Sequence, residues 1–200
     1  MDKIKIFQNE INSIKNDRLR NNLEIIVSNL PDYFFSVEAS STGKYHPAFA
    51  AGDGGLVRHS KVAFKIGVEL LSTSTFNTDF SEKERDLILM SILVHDGLKK
   101  GRNEEKYTRF DHPILMAEYI VELKDKLSLT DDEIKFMYDS ISSHMGEWNT
   151  NAYSNVVLPK PTTKYQKFVH MCDFLSSRKF LDVKFENNDI IDWHELMFDI

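Results

Sequence analysis

Residues 81–100 read Ser-Glu-Lys-Glu-Arg-Asp-Leu-Ile-Leu-Met-Ser-Ile-Leu-Val-His-Asp-Gly-Leu-Lys-Lys. Ser81 followed three residues later by Glu84 is a capping box, which starts a helix. From Leu87 to Val94 the run is almost continuously apolar, so this helix has no solvent face and belongs inside a bundle. It ends by carrying His95 and Asp96 to the edge of the interior or into it. A carboxylate there is costly unless it is paired or holds a metal. Taken alone, His95-Asp96 reads equally well as a polar helix end with a hydrogen-bonded histidine.

Helical periodicity extends outward in both directions. Ile4, Ile11, Ile14, Leu19, Leu23 and Ile26 are spaced as one helix face, closed by Pro31. Residues 34–49 are irregular. Gly52, Gly54 and Gly55 precede a helix over about 56–71. Asp111 is placed to cap a helix that has Pro113 in its first turn and runs to about Leu127. Thr130 and Glu133 form a second capping box, for a helix to about Ser143, with Gly146 as a stop signal. Thr162 or Thr163 starts a last helix to about Phe180, and Val183–Phe185 is a short strand candidate. The expected fold is an all-α bundle of about seven helices. Residues 1–43 form an N-terminal helical extension packed on a core over 44–180, and 181–200 form a tail.

Composition bounds the function. The chain has 200 residues, 42% hydrophobic and 28% charged, with 8 Gly and 5 Pro, which is an ordinary globular balance. A chain of this size buries about 70% of the surface its unfolded form exposes, so it needs no staples. Cys172 is the only cysteine, which excludes an intrachain disulfide and a Cys-rich zinc module. Met1–Gln8 lacks a signal-peptide apolar core, and no run reaches the ~18 apolar residues of a membrane span. No membrane partner and a reducing, cytoplasmic setting are expected. A net charge of −6 disfavours non-specific binding to duplex nucleic acid but leaves room for a locally basic pocket.

Five of the seven histidines lie at or near predicted helix ends. His59 sits in the first turn of its helix, His112 begins the next but one, and His144 ends the one after. Asp173 lies among Phe168, Val169, Met171, Phe174 and Leu175, and an interior Asp there needs a partner. Imidazole and carboxylate together suit divalent Mn, Fe, Co, Ni or Zn. Six such ligands (His59, His95, Asp96, His112, His144 and Asp173) are too many for one tetrahedral ion and suit two that share a carboxylate.

This ordered set resembles the H…HD…D signature of the HD-domain metal-dependent phosphohydrolases. Gly54-Gly55-Leu56-Val57-Arg58-His59-Ser60 is similar to the family's G-G-L-x-x-H-[ST] opening, and His95-Asp96-Gly97-Leu98-Lys99 to H-D-x-x-K. His112 and His144 fall where two-metal members insert extra histidines. His170-Met171-Cys172-Asp173 through Arg178 is similar to the closing H-x-x-D-x-x-x-x-R. Similar sequence surrounds the HD domains of bacterial 3′-5′ exoribonucleases and small phage-type hydrolases. The likeness spans about Lys44 to Arg178.

The resemblance implies a first metal on His59, His95, Asp96 and Asp173, and a second on Asp96, His112 and His144, with Asp96 bridging. Mg joins the candidate metals on that ground. Ser143 stands where some members carry a second histidine, which leaves the second site short of ligands. The resemblance also implies catalytic roles for Asp96 and Lys99, and substrate contacts by Lys44, His46, Lys99, His170 and Arg178. His170 reads equally as a core hydrogen bond. The loop 99–109 holds five basic residues against Glu104 and Glu105, a local surplus suited to phosphate. Tyr107, Phe110, Trp148 and Tyr153 flank the histidines and either stack a base or pack the loops down. The expected activity is metal-dependent hydrolysis of a nucleotide or a short single-stranded oligonucleotide. A di-iron oxygenase and a non-catalytic binding module with a structural metal fit the same ligands.

Overall fold

Ser81 and Glu84 make both bonds of the capping box: Glu84 N donates to Ser81 Oγ at 3.3 Å and Ser81 N to Glu84 Oε2 at 2.8 Å. The helix they open, Glu82–Val94, is buried on every side from Asp86 onward. The computed structural model that shows this describes residues 1–43 and 46–191. Among them are nine α-helices: α1 Lys3–Ile6, α2 Gln8–Asn12, α3 Asp17–Asn29, α4 Gly55–Ser72, α5 Ser74–Asn77, α6 Glu82–Val94, α7 His112–Glu122, α8 Asp131–Ser142 and α9 Lys164–Ser176. The only sheet among the described residues is a hairpin of β1 Phe185–Glu186 with β2 Asp189–Ile190. The fold is therefore all-α, and no helix of the described residues is long and apolar enough to cross a membrane.

α6 is the axis. It packs against α3, α4, α8 and α9, while α7 packs on α8. At about 1.5 Å per residue it carries the chain roughly 20 Å through the bundle, so its C-terminal end lies deep inside. Gly97 permits the turn that follows. A Cβ there would lie 2.6 Å from Met116 Sδ and 2.7 Å from Leu30 Cδ2, closer than real side chains approach.

The N-terminal stretch departs from the single helix that its periodicity predicts. It breaks at Phe7 and again over residues 13–16, because Asn16 is an N-cap whose side chain accepts from Leu19 N at 3.1 Å. The apolar face survives the breaks: Phe7, Ile11, Ile14, Leu19, Leu23 and Ile26 are fully buried in one core with Leu56, Leu93 and Ile141. Polar ties reinforce the packing. Buried Asp86 of α6 accepts Lys15 N and Asn16 N at 3.1 and 2.9 Å, and Arg18 grips Glu133 of α8 with two bonds of 2.6 and 2.9 Å. Residues 1–43 thus share the core of the helices behind them.

Other boundaries shift as well. Asp111 does not cap α7 with its side chain, because Arg109 holds that carboxylate at 2.6 and 2.7 Å. α9 stops at Ser176, where the hydroxyls of Ser176 and Ser177 both bond back to carbonyls of the preceding turn at 2.8 Å. The strand begins at Phe185 rather than Val183, around a two-residue turn in which Asn187 and Asn188 adopt φ of 50° and 68°. The hairpin is anchored to α4 by Asp189, 2.6 Å from the buried ammonium of Lys61.

Candidate metal centre

Three histidines are placed by one local device. A helix leaves its last carbonyls without intrahelical partners. The Nδ1–H of His95 donates to Ile92 O at 2.7 Å, beyond the end of α6, and that of His144 to Ile141 O at 2.7 Å, beyond the end of α8. The same three-residue reach takes His112 Nδ1–H to Arg109 O at 2.6 Å, at the start of α7. His59, on α4, finds its anchor on another element. Its Nδ1–H donates to Ser176 Oγ at 3.2 Å, and that hydroxyl donates onward to Asp173 O at 2.8 Å. With every Nδ1 proton committed, each ring turns its Nε2 to the middle of the bundle, where it offers a lone pair once no proton is held there.

Those nitrogens converge around the two oxygens of Asp96. On one side His59 Nε2 lies 3.6 Å and His95 Nε2 3.4 Å from Asp96 Oδ2, with Asp173 Oδ1 3.1 Å from His59 and 3.4 Å from His95. On the other side His112 Nε2 and His144 Nε2 lie 2.9 and 3.6 Å from Asp96 Oδ1. Within each side the nitrogens face one another, His59 and His95 at 3.4 Å and His112 and His144 at 3.2 Å.

This arrangement fits a cation. Once unprotonated, nitrogens that face one another repel, and Asp96 Oδ1 is buried without a hydrogen-bond partner. A bound metal resolves both problems at once. Divalent ions of this class sit about 2.0–2.2 Å from nitrogen and oxygen ligands, which sets neighbouring ligands about 2.8–3.6 Å apart in octahedral or tetrahedral sites. The separations above, 2.9–3.6 Å, fall in that interval. His59, His95 and Asp173 form one such group of ligand atoms, and His95, Asp96 and His144 another. The buried histidines and aspartates of this chain could therefore hold a metal ion.

The charges are arranged accordingly. Burial alone would raise the Asp96 carboxyl, but the Lys99 ammonium and the His95 ring hold it well below the usual carboxylate range. Asp173 is held low against its own burial by His95 and His59. Burial disfavours a charged His95, yet Asp96 and Asp173 more than reverse this and push its pKa up to about 10. Burial and the neighbouring His95 push His144 down to about 3. Five of the six candidate side chains are at most 3% exposed, and Asp173, at 18%, is the least buried.

The remaining predicted residues divide. Lys99 is brought into the cluster and forms an ion pair with Asp96 Oδ2. His46 leans edge-on against His59 at 4.8 Å between ring centroids, its Nδ1 buried without a partner, and burial followed by His59 and Lys99 pushes its pKa down to about 2. Lys44 lies outside the described residues. His170 donates from Nδ1 to the carbonyl of His144 at 2.6 Å and so braces the turn that carries that ligand. Gly146 makes this possible: its φ is +59°, and a Cβ would lie 2.2 Å from the His170 ring. Arg178 does not reach the ligand carboxylates. Its guanidinium lies 3.9 Å over the Phe174 ring and donates to Phe174 O and Ser177 Oγ.

The basic loop is a correction. Arg102 is bound at both ends to Glu122 at 2.5 and 2.7 Å, Arg109 is shared by Glu105 and Asp111, and Lys100 lies 3.5 Å from Glu104. Glu122 and Asp111 lie outside the stretch whose surplus suggested phosphate attraction, and they neutralise most of it. Ser176 is a residue of the candidate centre that the sequence did not reveal. Its only signal is a small side chain three positions after Asp173.

No family model, curated protein or solved structure matches this chain.

Proposed function

We propose that the chain is an HD-type, divalent-metal-dependent phosphohydrolase that uses two ions to cleave phosphoester or phosphoanhydride bonds of a nucleotide or a short single-stranded oligonucleotide. His59, His95, Asp173 and Asp96 Oδ2 would hold one ion, and His112, His144 and Asp96 Oδ1 the other. When bound, such ions supply Lewis acidity and an activated water.

The observation that carries the choice of reaction is the Lys99 ammonium, buried beside Asp96 on the cluster. A cation beside a metal centre suits an anionic substrate, and a compact ammonium suits phosphoryl oxygen. Around it the chain's own groups have distinct tasks. Asp96 divides its two oxygens between the histidine pairs and keeps them in register. Asp173, the least buried of these groups, marks the side from which substrate arrives. Lys99 holds a phosphoryl oxygen and stabilises charge that develops on it. His46, kept neutral, offers an uncharged imidazole at the same rim.

The test is elemental analysis of the purified protein, followed by hydrolysis of a nucleotide and oligonucleotide panel with Mn²⁺, Mg²⁺, Fe²⁺, Co²⁺, Ni²⁺ and Zn²⁺. Two metals per chain and hydrolysis with at least one ion are expected. Asp96→Ala should lose both ions and all turnover, whereas His112→Ala should lose one ion only. Iron with oxygen uptake and no hydrolysis would establish the oxygenase reading instead. One metal per chain, unmoved by His112→Ala, would reduce the centre to a single ion.

A further inference from the structure

Trp148 follows His144 by four residues, and its position is fixed by the turn: Gly146 N donates to Ser143 O and Trp148 N to Met145 O, both at 3.1 Å. Its indole lies nearly parallel to the Phe174 ring, at 14° and 5.6 Å between centroids, and Phe174 adjoins the ligand Asp173 on α9. Arg178, one turn further along, lies with its guanidinium 3.9 Å from the Phe174 ring centroid. Two features remain unused. Trp148 is 51% exposed although it stacks on Phe174, so much of the indole stays open to solvent. Arg178, unlike Arg102 and Arg109, has no carboxylate partner among the described residues. His170 locks the platform to the centre, with its ring 6.2 Å from both Trp148 and Phe174 and its Nδ1–H on the His144 carbonyl.

We infer that Trp148, backed by Phe174 and Arg178, is the platform on which the base of a nucleotide substrate stacks. This inference rests on the proposed hydrolysis of a nucleotide at the adjoining centre. The ligand class follows from the geometry. An exposed indole takes a flat π system, and a guanidinium without a carboxylate partner, on the adjoining Phe174 ring, takes an anion. The platform adjoins the centre, since His170 packs on it and bonds to the His144 carbonyl, and Phe174 follows Asp173 in the chain. A nucleotide carries a base and a phosphate one sugar apart and meets both demands. Stacking is indifferent to base identity because every base has a π face, so the platform selects nucleotides as a class.

The test uses the full-length, Mg²⁺-loaded protein. The chain has two tryptophans, so Trp193→Phe leaves Trp148 as the sole indole reporter. Adenosine 5′-monophosphate should quench its fluorescence, and ribose 5-phosphate at the same concentration should not. By calorimetry, Trp148→Ala should weaken adenosine 5′-monophosphate binding about 5- to 150-fold, the range found for losing one base–aromatic stack. Trp148→Phe should retain most of the affinity, which separates a lost stack from a disturbed turn. Equal quenching by both phosphates, unchanged affinity in Trp148→Ala, or equal quenching by tyrosine amide would overturn the inference. Hydrolysis reports separately: if neither phosphate is cleaved while quenching stays specific to the nucleotide, the hydrolase reading fails and the platform stands.

Discussion

The hydroxyl of Ser176 links two candidate ligands on different helices: it accepts the Nδ1 proton of His59 at 3.2 Å and donates its own to the carbonyl of Asp173 at 2.8 Å. The link sets the His59 tautomer, since a ring that has given its Nδ1 proton to Ser176 can offer only Nε2 to a cation. Removing it leaves a buried imidazole free to take the wrong tautomer. Ser176→Ala should therefore weaken metal binding about 10- to 100-fold, the usual effect of losing such a support. Competition with a coloured chelator measures this, and unchanged affinity would show that Ser176 only fills space.

Lys99 separates binding of metal from use of it. Its ammonium occupies Asp96 Oδ2, the oxygen that also faces His59 and His95. Lys99→Ala should leave metal affinity equal or slightly higher, while turnover falls by roughly 10²- to 10³-fold. Lys99→Arg should rescue little, because a planar fork does not reproduce a compact ammonium. Lys100→Ala removes a lysine 3.5 Å from Glu104 and should cost little. Equal losses in both alanine variants would mean that the loop acts through diffuse charge alone.

Metal loading should release protons in a predictable direction. The pKa of His95 is pushed up to about 10, so at pH 7.5 its ring carries a proton that an incoming cation must displace. The sign for stability follows. A folded value above the unfolded one of about 6.5 makes the metal-free protein gain from His95 fully below that pH and lose the gain as pH rises through about 10. Metal affinity runs the other way and falls as pH drops. Calorimetry in two buffers of different ionisation enthalpy should count about one proton released from His95, and a buffer-independent heat would refute it.

Arg18 and Glu133 test how the N-terminal helices are held. Arg18 and the capping bond to Thr130 N bring the pKa of Glu133 down to about 2 despite some opposing desolvation. Because this lies below the ordinary 4.5, the stabilisation is complete above that pH and disappears as pH falls toward about 2. The Arg18 side chain is 40% exposed, so Arg18→Ala should cost only about 1 kcal/mol, discounted for solvent screening. In a chain of this size that lowers Tm by about 2–4 °C. The gap between variant and parent should close in acid and narrow in high salt.

Some of this architecture is written locally. A capping box spans four residues, so Ser81–Glu84 and Thr130–Glu133 announce α6 and α8 without reference to the rest of the chain, and both form as expected. Periodicity alone joined residues 4–27 into one helix, because it records which residues face the core and not where the backbone turns. The N-cap role of Asn16 is what separates α2 from α3. The ligand residue types were visible for a similar reason, since a buried run that ends in His95-Asp96 demands a partner whatever the fold.

By itself, then, the sequence determined the all-α class and the central apolar helix, and it named the six candidate side chains that the structure brings together around Asp96. Those properties reside in residue type and in contacts a few positions apart. Only the tertiary structure decided which histidine faces which oxygen of Asp96, because His59, His112, His144 and Asp173 come from four separate helices or their turns. It also decided the tautomers, through carbonyls and a serine hydroxyl that no motif marks. Contacts from outside the loop neutralised most of its charge as well, with Glu122 bound to Arg102 and Asp111 to Arg109. Charges and lone pairs act through space, so the partners that set them can lie anywhere along the chain.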